Sequence, residues 1–493
     1  MTLGTLIVLF AIAGAVLTAL IGMSKGGKIN WLVSFLQNFT GTWFVFSGAV
    51  KAVDPMGTAF KMEQYFAEFV RAFEGTWFSF LAPVFPKLSE GSATFAVAMI
   101  TLEIIVGLAL IVGGRNKLTS WVFLITLVFF TFLTGFTYLT AYVPDGVNFF
   151  QFGKWGPYVE TNMKVTDCGC FGDFIKLKPY TSFIKDLFLL IPALIFVFRS
   201  RDMHSLWTAA ARTAVLSLAT IGTVAFCLSN YVWNEPVVDF RPFKNGVNIR
   251  ERKQQEEAAA AAVQILSYRL KNRKDGKVVE LPYEQYLKEF KNYPKEQWEA
   301  EQVKSEPTVP RTKISDFDVQ DVEGTNRTEQ ILTYDGYMFV IAAYKLYGKN
   351  NGSTTISVPD TIYGADTLRI EDSLQIQRKV LSIANKQVEK TTYEWDADFI
   401  NRWTKVVNPM LQTAEKDKVP ALAITGFEDP GKIEDFRQAT KSKYNFFTAD
   451  DIMIKTIMRS NPGVILMKNG TIIHKWHYRQ LPDYEEIKAK YIK

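Results

Sequence analysis

Six stretches in the first half of the chain carry few or no charges: Thr2 to Met23, Trp31 to Val50, Ser92 to Gly113, Leu118 to Tyr142, Phe183 to Phe198 and Ala209 to Tyr231. Each is roughly 17 to 25 residues long, the length a helix needs to cross the hydrocarbon core of a bilayer. Backbone inside that core must satisfy its own hydrogen bonds, so the pattern predicts an α-helical transmembrane bundle of about six spans. No basic residue precedes the first apolar run, and Lys25 and Lys28 follow it. It therefore reads as a retained helix with its N-terminus outside, not as a cleaved signal peptide. The stretch at Phe183 is the shortest and contains Pro192, which neighbouring helices accommodate in a membrane.

Basic residues in short loops are retained on the cytoplasmic side. Lys25 and Lys28 follow the first span, Arg115 and Lys117 the third, and Arg199, Arg201 and Arg212 the fifth. The longer loops 51–91 and 143–182 dilute their lysines among acids and aromatics and belong outside. Everything after Trp233 then lies outside as well. In a bacterium this places the protein in the inner membrane with its C-terminal half in the periplasm, an oxidising compartment.

Only three cysteines occur in 493 residues, and two of them flank one glycine in the run Asp167-Cys-Gly-Cys-Phe-Gly-Asp173 of the second outer loop. The third, Cys227, lies about one helical turn below the outer end of the sixth span, which Tyr231 and Trp233 mark as interfacial anchors. Two residues apart, Cys168 and Cys170 can always bring their Cα atoms within about 7 Å. Torsional strain in so small a ring makes the bond easily reduced, the character of a catalytic or regulatory disulfide. The alternatives stand beside this: a tight turn with two buried thiols, and Cys227 as a small helix-packing residue. Two sulfurs with Asp167 and Asp173 lack the spacing of a zinc site, so no metal is expected.

The run Phe46-Ser-Gly-Ala-Val-Lys-Ala-Val-Asp-Pro-Met-Gly57, Glu103 and Gly107 in Thr101-Leu-Glu-Ile-Ile-Val-Gly-Leu-Ala-Leu-Ile-Val-Gly113, and Asp167-Cys-Gly-Cys-Phe-Gly172 resemble the DoxX and MauE membrane families over roughly residues 28 to 200. The resemblance implies a four-helix membrane core made of spans two to five, and an association with respiratory or thiol redox chemistry or with maturation of disulfide-rich periplasmic proteins. It carries over no particular reaction.

Glu103 lies near the middle of the third span, where an ionised carboxylate costs several kcal/mol unless it is paired or protonated. Lys51, Lys185 and Asp186 are the charged residues available to it, with both lysines nearer the outer face. A quinone or proton path would use such a group; no haem, flavin or nucleotide motif is recognisable. The other reading of Glu103 is a buried polar contact that sets helix register.

After Trp233 the composition changes. The boundaries read from it are a membrane domain at 1–233, a linker region with short helices at 234–328, and a compact domain at 329–493 with an insertion at about 350–395. Within the linker, Glu251 to Leu270 and Leu281 to Phe290 predict helices, with a turn at 271–277 between them. Charges there are mixed in sign, so no nucleic-acid site is expected. Further on, Tyr337 to Tyr344 and Ala421 to Thr425 predict strands, Asp396 to Glu415 and Lys432 to Ala439 predict helices, and the end reads as a hairpin turning at Lys468-Asn-Gly470.

This order resembles the C-terminal half of thioredoxin-like domains, which implies a cis-proline at Pro462 and a peptide groove at Asn461 and Pro462. The domain has no cysteine, and Tyr344-Lys-Leu-Tyr-Gly-Lys-Asn-Asn351 stands where thioredoxins carry Cys-x-x-Cys. It cannot exchange disulfides by itself. Two readings follow for the whole chain. In one, Cys168, Cys170 and Cys227 pass electrons for periplasmic clients, with Glu103 in a proton or quinone path. In the other, the protein is a noncatalytic membrane anchor or assembly subunit whose α/β domain holds a periplasmic partner. Lipids, a protein client and a larger membrane complex are the partners these readings name.

Overall fold

The structure is a computed structural model that describes the chain except residues 1, 166–168, 371–372 and 493, and except the side chains at 356, 358–379, 381, 384 and 386. The chain forms two compact units, Met1–Arg241 and Pro242–Lys493.

The first unit is helical: α1 (Leu3–Ser24), α2 (Trp31–Val53), α3 (Pro55–Phe73), α4 (Val84–Glu90), α5 (Ser92–Val112), α6 (Asn116–Thr140), α7 (Pro179–Phe198) and α8 (Ala209–Leu228). Among the described residues, α1, α5, α6, α7 and the run Ala209–Trp233 are long and apolar enough to cross a membrane. The second stretch forms a helix of comparable length, 23 residues, but a more polar one. Its position explains the polarity: α2 packs against α1, α5, α7 and α8, and Gln37, Asn38, Thr40, Ser47 and Lys51 are all buried. Gln37 Nε2 donates to the Leu110 carbonyl at 3.1 Å, and Asn38 Nδ2 to Thr18 Oγ1 at 2.9 Å. A helix enclosed by others can carry polar groups that a lipid-facing one cannot. Asp54 caps α3, accepting from the Gly57 amide at 3.1 Å, with Pro55 in the first turn.

The second unit is mixed α/β. In chain order it contains α9 (Ile249–Ala261), β1 (Ile265–Asn272), β2 (Val278–Pro282), α10 (Tyr283–Glu289), β3 (Trp298–Lys304), α11 (Thr328–Leu332), β4 (Tyr337–Ala343), β5 (Gly348–Ile370), β6 (Ser373–Trp395), α12 (Ala397–Asn401), α13 (Asn408–Lys416), β7 (Ala421–Gly426), α14 (Pro430–Thr440), β8 (Asn445–Ala449), α15 (Asp451–Ile457), β9 (Gly463–Lys468), β10 (Thr471–His477) and α16 (Tyr484–Tyr491). Five strands form the central sheet in the order β10-β9-β4-β7-β8. Strands β4, β7 and β8 run parallel, while β9 is antiparallel to β4 and β10 to β9.

Alternation along β4 divides the core. Met338, Val340 and Ala342 face a cluster that includes Phe243, Ile249, Phe317, Ile331 and Ile454; Phe339, Ile341 and Ala343 face Phe399, Trp403, Phe436, Phe446 and Ile487. Both faces are covered, which is why the strand reads as an uninterrupted apolar run. The helix expected over Glu251 to Leu270 ends at Ala261, and the chain continues as β1 between β2 and β3. Strand pairing on both sides, with Leu270 buried, overrides the helix propensity of that stretch. The insertion forms a two-stranded antiparallel ribbon, β5 with β6. It is anchored at its base by Trp395, whose indole nitrogen donates to Asp435 at 2.9 Å.

A buried charge cluster as the candidate functional site

Close contact between α2 and α5 builds the first half of the site. A Cβ on Gly48 would come within 2.5 Å of Ile104, and one on Gly107 within 2.7 Å of the Gly41 carbonyl, so the two backbones touch where only glycine fits. This approach lets Lys51 reach Glu103, Nζ to Oε2 at 2.6 Å, with both side chains buried. The same ammonium donates to Ser47 Oγ, one turn earlier on α2, at 3.2 Å, and lies 5.2 Å from the centre of the Phe130 ring. Glu103 is thus paired, as an ionised group in an apolar bundle must be.

The second half comes from α6 and α7. Asp186 is ion-paired to its neighbour Lys185 and accepts from Thr134 Oγ1 of α6 at 2.9 Å. Lys185 lies 6.0 Å from the centre of the Trp43 ring of α2 and interacts electrostatically with Asp186, Cys170 and Glu103. The two ion pairs therefore belong to one cluster at the meeting of α2, α5, α6 and α7. Sequence reasoning singled out all four charged residues, and the structure brings them together. It missed Ser47, Thr134 and Ser182; a hydroxyl in an apolar helix is too common to stand out.

Cys170 sits against this cluster. The Cys170 carbonyl accepts from Ser47 Oγ at 2.8 Å, and its half-buried thiol lies among Ser182, Lys185, Asp186 and Lys51. Burial pushes the Cys170 thiol up; Lys185 pulls it back down, and Asp186 raises it further. The net direction is away from thiolate, the reactive form. Cys168 lies outside the described residues. Cys227 is fully buried in a different cluster, with Ala52, Val97, Ile100 and Ile104, whereas Cys170 packs beside the cluster that holds Trp43 and Phe171.

In the second unit Asn461 and Pro462 precede β9, joined by a cis peptide bond. Both are buried. The Asn461 carbonyl accepts from Arg402 Nη1 at 2.8 Å, and Asn461 Nδ2 donates to the Lys345 carbonyl at 2.8 Å. Arg402 in turn lies over the Tyr478 ring, 4.8 Å from its centre. Arg402 carried no sequence signal, because a surface-type residue on a helix gives no hint of the loop it will reach.

Among the described residues, no group of three His, Cys, Asp or Glu side chains converges as a metal site would require. Compared with known proteins, the chain matches no family model, no curated protein and no solved structure.

Proposed function

We propose that this protein is a noncatalytic membrane anchor or assembly subunit, with a DoxX/MauE-like helical unit in a bacterial inner membrane and a redox-inactive, thioredoxin-like domain that binds a protein partner in the periplasm. The observation that carries this reading is the internal pairing of the charge cluster. Lys51 is spent on Glu103 and Lys185 on Asp186, and the thiol beside them is shifted away from its reactive form. The cluster draws on α2, α5, α6 and α7, the four helices that the resemblance assigns to the membrane core. The strand order β10-β9-β4-β7-β8 supports the thioredoxin-like reading of the second unit, and without cysteine after Cys227 that domain has no dithiol to exchange, which supports reading it as a binder. Outside placement of the domain rests on the lysines and arginines of the short loops.

A second reading keeps the Cys168-Gly-Cys170 loop as a redox pair that serves periplasmic clients, with Glu103 in a proton or quinone path. It is favoured by the seat of Cys170 beside two ammonium groups, Lys51 and Lys185. Trapping the thiols in intact cells with a mass-shifting alkylating reagent separates the two. A cysteine pair that holds one state when respiration is blocked, with full complementation of a deletion strain by Cys168→Ser/Cys170→Ser, is the anchor's expected result. A pair that shifts state, or a double variant that reaches its normal level and fails to complement, overturns it.

A further inference from the structure

Two segments of the helical unit, 74–83 between α3 and α4 and 149–155, carry large apolar rings that the protein leaves uncovered: Trp77 is 78% exposed, Phe80 69% and Phe152 62%. Single exposed rings are ordinary, but Trp77 and Phe152 belong to one connected run of rings, and Phe80 lies three residues from Trp77. Ring centres run from Trp77 to Phe78 at 3.7 Å, Phe78 to Phe150 at 5.4 Å, Phe150 to Phe152 at 6.3 Å and Phe152 to Trp155 at 5.1 Å. The two segments are thereby joined into a shelf.

The shelf rests on the ends of membrane-length helices. Phe66 meets Phe95 of α5 at 5.7 Å, and Phe136 of α6 meets both Phe69 at 5.0 Å and Phe149 at 4.8 Å. Phe95 lies in the first turn of α5 and Phe136 in the last two turns of α6, within about 6 Å of the helix ends at 1.5 Å per residue. Apolar exposure then continues down α6, through Phe132, Val128 and Ile125, the side a membrane helix offers to lipid. Lys87 and Lys154, both exposed, flank the rings in sequence and suit phosphate groups.

We propose that this shelf lies in the headgroup layer of the bilayer, with Trp77, Phe80 and Phe152 inserted among lipid at the boundary between headgroups and acyl chains. Aromatic rings are favoured at that depth because one part of the ring system meets apolar chains and its edge meets water. The shelf anchors α3, α4 and the 149–155 segment of the second outer loop to the membrane, separately from Cys170 and Phe171 later in that loop, which pack in another cluster.

The test uses the full-length protein in phosphatidylcholine vesicles and the fluorescence difference between wild type and Trp77→Phe. The Trp77 component is expected to be blue-shifted, to lose emission most with bromine near the headgroup end of the acyl chains and less with bromine at the chain terminus, and to resist aqueous iodide. A component that iodide quenches and brominated lipid leaves untouched overturns the proposal and marks the shelf as a water-facing surface for a protein. Should Trp77→Phe fail to fold, Phe152→Trp in the otherwise unchanged chain adds emission from the same shelf, with the same two outcomes.

Discussion

The two units bury charge in opposite ways. The helical unit pairs Lys51 with Glu103 and Lys185 with Asp186 between its helices, while the α/β unit fills both faces of its sheet with apolar side chains and satisfies buried charges largely with hydroxyl and backbone groups, as where Lys475 donates to the Phe243 and Ile457 carbonyls. There, Glu256 is buried only because Arg252, Thr312 and Ser315 all donate to it. The difference follows from the solvent. Between helices in a bilayer, lipid is as apolar as leucine, so burial selects no neighbour, and polar pairs and close-packed glycines decide which helices meet. In water, removing the faces of a sheet from solvent is itself the driving force, and charges on those faces would oppose it.

The largest effect should come from stranding one charge of the membrane cluster. Lys51→Ala leaves Glu103 buried without its partner and is expected to cost the helical unit about 4 kcal/mol. Thermal unfolding in detergent measures it. Lys51→Met with Glu103→Leu should regain most of the loss; a double variant as unstable as the single one would break the comparison, because the pair would then be indispensable and not merely self-compensating. Next, Phe436→Ala removes a fully buried ring that contacts Trp395, Phe399 and Trp403. About 3 kcal/mol should be lost from the α/β unit alone, read as one shifted transition in a scan of the full chain.

Glu256 sharpens the comparison through pH. Burial pushes it up, but Ser315, the amide and hydroxyl of Thr312 and Arg252 together hold its carboxyl below the usual range. Its contribution is therefore present above the ordinary carboxylate range and is lost as pH falls through the lowered folded value. Glu256→Gln should cost about 2 kcal/mol at neutral pH and flatten the acid limb of the stability profile of the α/β unit. An unchanged acid limb would place that dependence on other carboxylates. The smallest effect is expected from Thr134→Val, which removes one hydrogen bond to Asp186 at a cost of about 1 kcal/mol. A loss as large as that of Lys51→Ala would mean that the hydroxyl, not Lys185, sustains the Asp186 charge.

Much of this was legible in the residues one at a time. Glu103 announced itself because a carboxylate in the middle of an apolar run needs a partner, and Lys51, Lys185 and Asp186 were the candidates at hand. The strands Tyr337–Ala343 and Ala421–Gly426 and the closing hairpin at Asn469-Gly470 followed from local pattern. Strand β8 did not, since five residues that alternate only partly in burial carry too little periodicity. Nor did β1, where the preceding alanine-rich stretch suggested a longer helix and pairing on both sides decided otherwise.

Sequence alone determined that the chain divides into an apolar helical half and a cysteine-free half, that a charged group sits within a membrane-length run, and that two thiols share one loop. These are properties of composition and of spacing along the chain. Tertiary structure decided that Lys51, and not Lys185, pairs with Glu103, that Cys170 rests on the charge cluster while Cys227 packs with Val97 and Ile104, and that Arg402 occupies the carbonyl of Asn461. Each of these depends on which helix faces approach and how closely. That is set by contacts between residues far apart in the chain, such as Gly48 against Ile104, and no local pattern encodes it.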